Sequence, residues 1–143
     1  MSMSLSSLSR ECELVCVDPA KVWQLWPRVS GLIHVAMKRG DFSSFADVQD
    51  DVLAGRSLLW LAWDGADISA AAITQLVVTE WRKVCVIVAC GGAEMARWVN
   101  LIDGIEQFAK AEGCKAIRII GRLGWERVLM KYRVKRIVLE KDI

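Results

Sequence analysis

Apolar positions recur along this chain with two different periods, and the switches between them mark its elements. From Glu94 to Ala111, residues Met95, Trp98, Val99, Ile102, Ile105, Phe108 and Ala109 return at three- and four-residue steps, while Arg97, Asn100, Asp103, Gln107 and Lys110 fill the other side. That spacing predicts a helix with one buried face. Gly104 within it costs about 1 kcal/mol relative to alanine, which packing of the stripe offsets. Lys110 and Gly113 supply its ending. The flanking runs, Val84 to Ala89 and Ala116 to Ile120, are short and β-branched. The first shows little alternation, as expected of a strand covered on both faces. A helix joining two such strands makes them a parallel pair by right-handed crossover.

The remaining pattern extends this unit on both sides. Glu11 to Val17 alternates as a strand, and Asp18-Pro19 supplies an N-cap and a proline for the first helical position. Pro27 interrupts Val22, Trp23 and Trp26, predicting a kink or restart before Val29, Leu32, Ile33, Ala36 and Met37. Ser44 to Asp47 reads as a capped start to a shorter helix that Gly55 ends. Ser57 to Trp63 and Ile68 to Thr79 flank Asp64-Gly65, a hairpin signal. A short helix is expected over Trp125 to Tyr132, and a strand over Val134 to Glu140. The order is β α α β β β α β α β. No repeat or linker divides it, so residues 11–143 form one expected domain after a frayed segment 1–10.

The junction at Gly91-Gly92 admits two readings. A helix starting at a strand's end aims free N–H groups and the positive end of its dipole at one spot, which makes the amides of Gly91, Gly92, Ala93 and Glu94 a candidate phosphate cradle. Alternatively, the pair is a tight corner needing positive φ, with Glu94 already complementing the dipole.

Composition narrows the partners. The 143 residues are 54% hydrophobic, yet no apolar run nears the length of a membrane span. The opening residues lack a signal-peptide pattern, so a cytoplasmic location and no membrane partner are expected. Five cysteines without a CxxC, and His34 as the one histidine, point away from a metal site and toward buried reduced thiols. Cys90, beside the glycine pair, is the position where a thiol nucleophile would be activated. Residues 1–80 hold 6 basic and 10 acidic side chains and residues 81–143 hold 13 and 7, so the halves carry −4 and +6. A basic half is either a solvated face or a surface for phosphates, with Arg122 and Arg127 placed to meet them. Nucleic acid is the weaker of these expectations, because no recognised motif accompanies the charge. Seven tryptophans against one tyrosine suggest a protein interface wherever they are exposed.

The element order is similar to the GNAT fold of acyl-CoA N-acyltransferases. Leu53 to Gly65 looks like that family's passage into its second strand, and Gly124 to Lys141 like its last helix and strand. The resemblance implies an α/β (α+β) fold with a mixed central sheet of six to seven strands and about four helices. It also implies acetyl-CoA as cofactor, with its pyrophosphate on the amides around Gly91, Gly92, Ala93 and Glu94; Arg122, from the basic half, is a further cofactor-binding candidate. Departures from the family pattern bear on chemistry. The basic or amide position of the turn motif falls on Val88, the acid's position falls on Leu129 with Tyr132 three residues later, and the strand from Val84 to Ala89 holds no acid, leaving Glu80 just outside. Tyr132 and Glu80 are thus the catalytic candidates. Small proteins with a Gly-Trp helix and a Leu-Glu-Lys terminus also resemble GNAT-like proteins of bacteriophages and prophages. Two functions follow as expectations: a catalytically degenerate binding or assembly factor, in host cytoplasm or virion, and an amine acetyltransferase.

Overall fold

A computed structural model describes residues 13–38, 43–92, 95–120, 129 and 131–143, without the side chains of residues 95–98 and 100. Five strands form one sheet in the order β1-β2-β3-β4-β5. They are β1 (Glu13–Cys16), β2 (Leu58–Trp63), β3 (Ile68–Val78), β4 (Lys83–Gly92) and β5 (Ala116–Ile119). The first four pair antiparallel and β4–β5 pair parallel, as a helical crossover requires. The helices are α1 (Val22–Lys38), α2 (Phe45–Leu53) and α3 (Met95–Ala111).

Local chemistry explains the boundaries. Asp18 accepts from the Ala20 amide at 3.0 Å and opens a 3-10 turn, Pro19–Lys21, that runs directly into α1. Ser44 caps α2 by accepting from the Asp47 amide, and Gly55 leaves it at φ 81. Asp64 accepts from the amides of Ala66 and Asp67, while Gly65 takes φ 96, so the β2–β3 turn is held by its own side chain.

Each face of the sheet has its own core. On one, α1 and α2 place Val22, Trp26, Val29, Ile33, Val48 and Val52 against Leu59, Leu61, Ala71 and Ile73. On the other, α3 places Leu101, Ile102, Ile105 and Ala109 against Trp60, Ala62, Ala70, Ala72, Cys85 and Ile87. Trp60 meets Phe108 edge-on, and its indole N–H donates to the buried Thr74 hydroxyl at 2.9 Å. Alternate β2 residues thus serve alternate layers, the period-2 rule applied to a sheet covered on both sides.

Four expectations need correction. The described residues hold five strands, fewer than the six to seven expected; their three α-helices leave the count of four untested, since the fourth is expected over 125–132. Val134 to Glu140 is not in a strand; residues 133–143 are exposed and in no regular element. Pro27 does not make the helix restart: α1 runs unbroken from Val22 to Lys38, because Val22, Trp26, Val29 and Ile33 stay on one stripe and their burial holds the helix through the missing N–H. Gly91 and Gly92 belong to β4 rather than a turn, and positive φ among the described glycines is confined to Gly55, Gly65 and Gly113. The expected helix at 125–132 and the segment 1–10 lie outside the described residues, apart from Leu129, Lys131 and Tyr132.

Candidate cofactor-binding site

β4 is the strand on which the site is built, and it outruns β5. The parallel pairing covers Val84 to Ile87 opposite Ala116 to Ile119, whereas β4 continues to Gly92, held there by β3 alone among the described residues. Among the described residues no strand lies beside Val88 to Gly92, at the carboxyl ends of two parallel strands, the place where open sheets bind ligands. Backbone polar groups on that side have no strand to pair with among the described residues, and α3 begins three residues beyond.

The strand changes phase where this stretch begins. Ile73 pairs with Ala89 and Thr74 with Ile87, leaving Val88 as an extra residue, a β-bulge. Its effect is visible in the layers. Cys85 and Ile87 face α3, Val88 and Ala89 both pack toward α1, and Cys90 returns to the α3 side.

Past the bulge, two glycines are required by approach and not by φ. A Cβ on Gly91 would lie 2.9 Å from the Leu32 carbonyl oxygen and 3.1 Å from the Ala36 Cβ, so α1 rests directly on the strand. A Cβ on Gly92 would lie 2.7 Å from the Ser69 carbonyl oxygen and 2.8 Å from the Ala70 Cβ. Both are backbone-limited contacts that no side-chain rotation relieves. Ala93, Glu94 and Arg122, the other cofactor-binding candidates, lie outside the described residues, as does Arg127.

The two catalytic candidates are placed far from one another's expected task. Glu80 is exposed in the turn between Val78 and Lys83, where the Thr79 hydroxyl accepts from the Arg82 amide at 3.0 Å. The whole of β4, ten residues ending at Gly92, separates it from the glycine pair's far end, roughly 30 Å at strand rise. Tyr132 is half-buried on the α3 layer, and its hydroxyl donates to the Glu106 carboxylate at 2.5 Å. Glu106 is the twelfth residue of α3, about 16 Å along the helix from its start. Burial first, and then the Glu106 hydrogen bond, hold the Tyr132 hydroxyl well above the ordinary tyrosine range. An acid that clings to its proton in this way transfers it poorly near neutral pH. Leu129, 7% exposed, is a core residue of the same layer.

Cys90 does not behave as the candidate nucleophile would, since burial pushes its thiol up to about 12, and Cys85 is raised to about 11 for the same reason. Two features escaped the sequence reading. The bulge at Val88 is hidden by an apolar run too uniform to show a change of face. Glu106 had no signal beyond its place on the helix, since its partner is 26 residues away.

No sequence-family model and no curated protein sequence matches this chain. Solved structures do. An aminoglycoside acetyltransferase from an uncultured soil metagenomic sample, in complex with sisomicin, superposes with a TM-score of 0.67 at 10% identity, covering 92% of this chain and 95% of that one. An acetyltransferase of Trypanosoma brucei gives 0.65 at 13% identity over 93% of this chain and 100% of its own. A GNAT family acetyltransferase of Staphylococcus aureus gives 0.64 at 13% identity over 93% and 99%.

Proposed function

We propose that this chain, whose fold is that of GNAT acetyltransferases, binds an acyl-coenzyme A along the end of β4 that β5 does not reach and acts as a binding protein without proton-transfer machinery of its own; fold by itself leaves chemistry open. One observation carries the binding half: β4 runs five residues past β5, through a bulge, to two glycines at the approach to α3. An extended ligand arm bearing amide groups complements such an open strand edge as an added strand would. A pyrophosphate then falls near the start of α3, where the helix dipole favours it. The acyl group would lie beside the bulge, where the described side chains are Val88, Ala89 and Cys90, none of them a base at neutral pH.

The second half rests on where the described candidates sit. Tyr132 is engaged by Glu106, and Glu80 stands at the opposite end of β4. Acid and base groups contribute about 10² to 10⁴ each to such reactions, so a site without them is expected to bind and not turn over.

Thermal denaturation with and without acetyl-CoA tests the proposal. Ligand at about 100 times its dissociation constant stabilises by roughly 2.7 kcal/mol. A clear upward shift is expected, with no acetylation of a broad amine panel above background. Absence of any shift in millimolar acetyl-CoA removes the binding reading. Robust acetylation instead restores the acetyltransferase reading and removes the degenerate one.

A further inference from the structure

Residues 133–143 are described but belong to no helix or strand, and their apolar side chains face solvent. Val134 is 46% exposed, Ile137 73%, Val138 66% and Leu139 89%. The root of the segment is fixed, because Leu129 is buried, the Tyr132 amide donates to the Leu129 carbonyl at 2.9 Å, and the Tyr132 hydroxyl is held by Glu106. A β-branched, apolar segment thus leaves the α3 layer from a firm anchor without reaching a strand partner among the described residues.

We propose that this segment pairs with the same segment of a second copy, as a two-fold antiparallel ribbon centred between Ile137 and Val138. Charge complementarity selects the partner. In that register Ile137 opposes Val138, Lys135 opposes Glu140 and Arg133 opposes Asp142. Both acids of the segment thereby meet bases, and the two-fold repeats each pair. Residues directly opposite share a face of the ribbon, so each face carries an apolar centre with an ion pair beside it. Moving the centre onto Ile137 opposes Arg133 to Lys141, and moving it onto Val138 opposes Lys135 to Lys141, which offsets the Arg136–Glu140 pair formed there. One-residue slips in either direction therefore lose both kinds of ion pair in the proposed register with no net gain of charge pairing. A two-fold pairing is self-complementary, so one segment supplies both sides of the contact.

A two-stranded ribbon is marginal alone, so the association is weak and visible at micromolar to millimolar protein. Sedimentation of the full chain across that range, in the absence of acyl-CoA, is expected to show a monomer passing to a dimer. Amides of 134–140 should gain hydrogen-exchange protection in step. Lys135→Glu and Glu140→Lys each oppose like charges twice and should weaken the dimer about tenfold. The double variant Lys135→Glu with Glu140→Lys restores the complement and should restore the dimer. Because both positions are exposed, folding is not at stake. A monomer at every concentration overturns the proposal, as does protection of 134–140 in the monomer, which would place the segment on its own sheet. So does a double variant no better than the single ones.

Discussion

Two glycine-to-alanine substitutions in one chain should have opposite signs. Gly31 lies in the interior of α1 with nothing within 4 Å of a Cβ built upon it. Alanine there gains helix propensity of about 0.5–1 kcal/mol. Gly91 is the contrary case, since its Cβ would sit 2.9 Å from the Leu32 carbonyl oxygen and 3.1 Å from the Ala36 Cβ, where ordinary contact begins at 3.4 Å. Either α1 lifts off β4 by about half an ångström or β4 bends, disturbing the layer that holds Val29 and Ile33. Overpacking of this kind costs about 1–3 kcal/mol, which in a domain of this size lowers the melting temperature by roughly 3–12 °C. Gly31→Ala should raise it by roughly 2–4 °C. Calorimetry of both variants beside the wild type, with urea titrations to give free energies at one temperature, makes the comparison. The reasoning is refuted if Gly91→Ala melts at or above the wild type, because the contact between α1 and β4 would then be looser than described.

Other expectations are more local. Thr74→Val leaves the buried Trp60 indole N–H without its acceptor and should destabilise by about 1–3 kcal/mol in denaturant titration; unchanged stability would count against that bond. Tyr132 has a folded pKa above its unfolded value, so its contribution is fully present below about pH 10 and fades as pH rises further. The stability difference between wild type and Tyr132→Phe should accordingly be constant from pH 6 to 9 and shrink above pH 10, and a difference that grows at high pH would mean the shift has the other sign. Cys90, with its thiol pushed up to about 12, should resist iodoacetamide at pH 8 in the folded protein while exposed Cys16 reacts; labelling of Cys90 as fast as Cys16 would revive its candidacy as a nucleophile.

Legibility from sequence followed the range of the interactions. The caps at Asp18 and Ser44, the Asp64-Gly65 turn and the α3 stripe are set by residues a few positions apart, and each is where its local pattern put it. The parallel β4–β5 pair follows from the helix between them. Pro27 misled because a local rule was outweighed by burial along the whole of α1. Of the two readings of the glycine pair the tight corner failed: the need for glycine is set by Leu32 and Ser69, remote in sequence, and not by its own backbone angles. The catalytic candidates were chosen by nearness along the chain to expected positions, a criterion blind to the hydrogen bond between Tyr132 and Glu106.

The extra residue at Val88 acts on β4 as a frameshift acts on a message. Upstream, odd-numbered residues answer to α3; downstream, Ala89 and Gly91 answer to α1. Deleting one residue at the junction would put the two halves back in frame and so misread one of them. Either Gly91 turns away from the helix that rests on it and a side chain takes its place, or Cys85 and Ile87 leave the layer where they are buried. The count of residues between Ile87 and Gly91 is therefore constrained as strictly as any side chain in the core, and a sequence descended from the same ancestor should change its letters there more readily than its length.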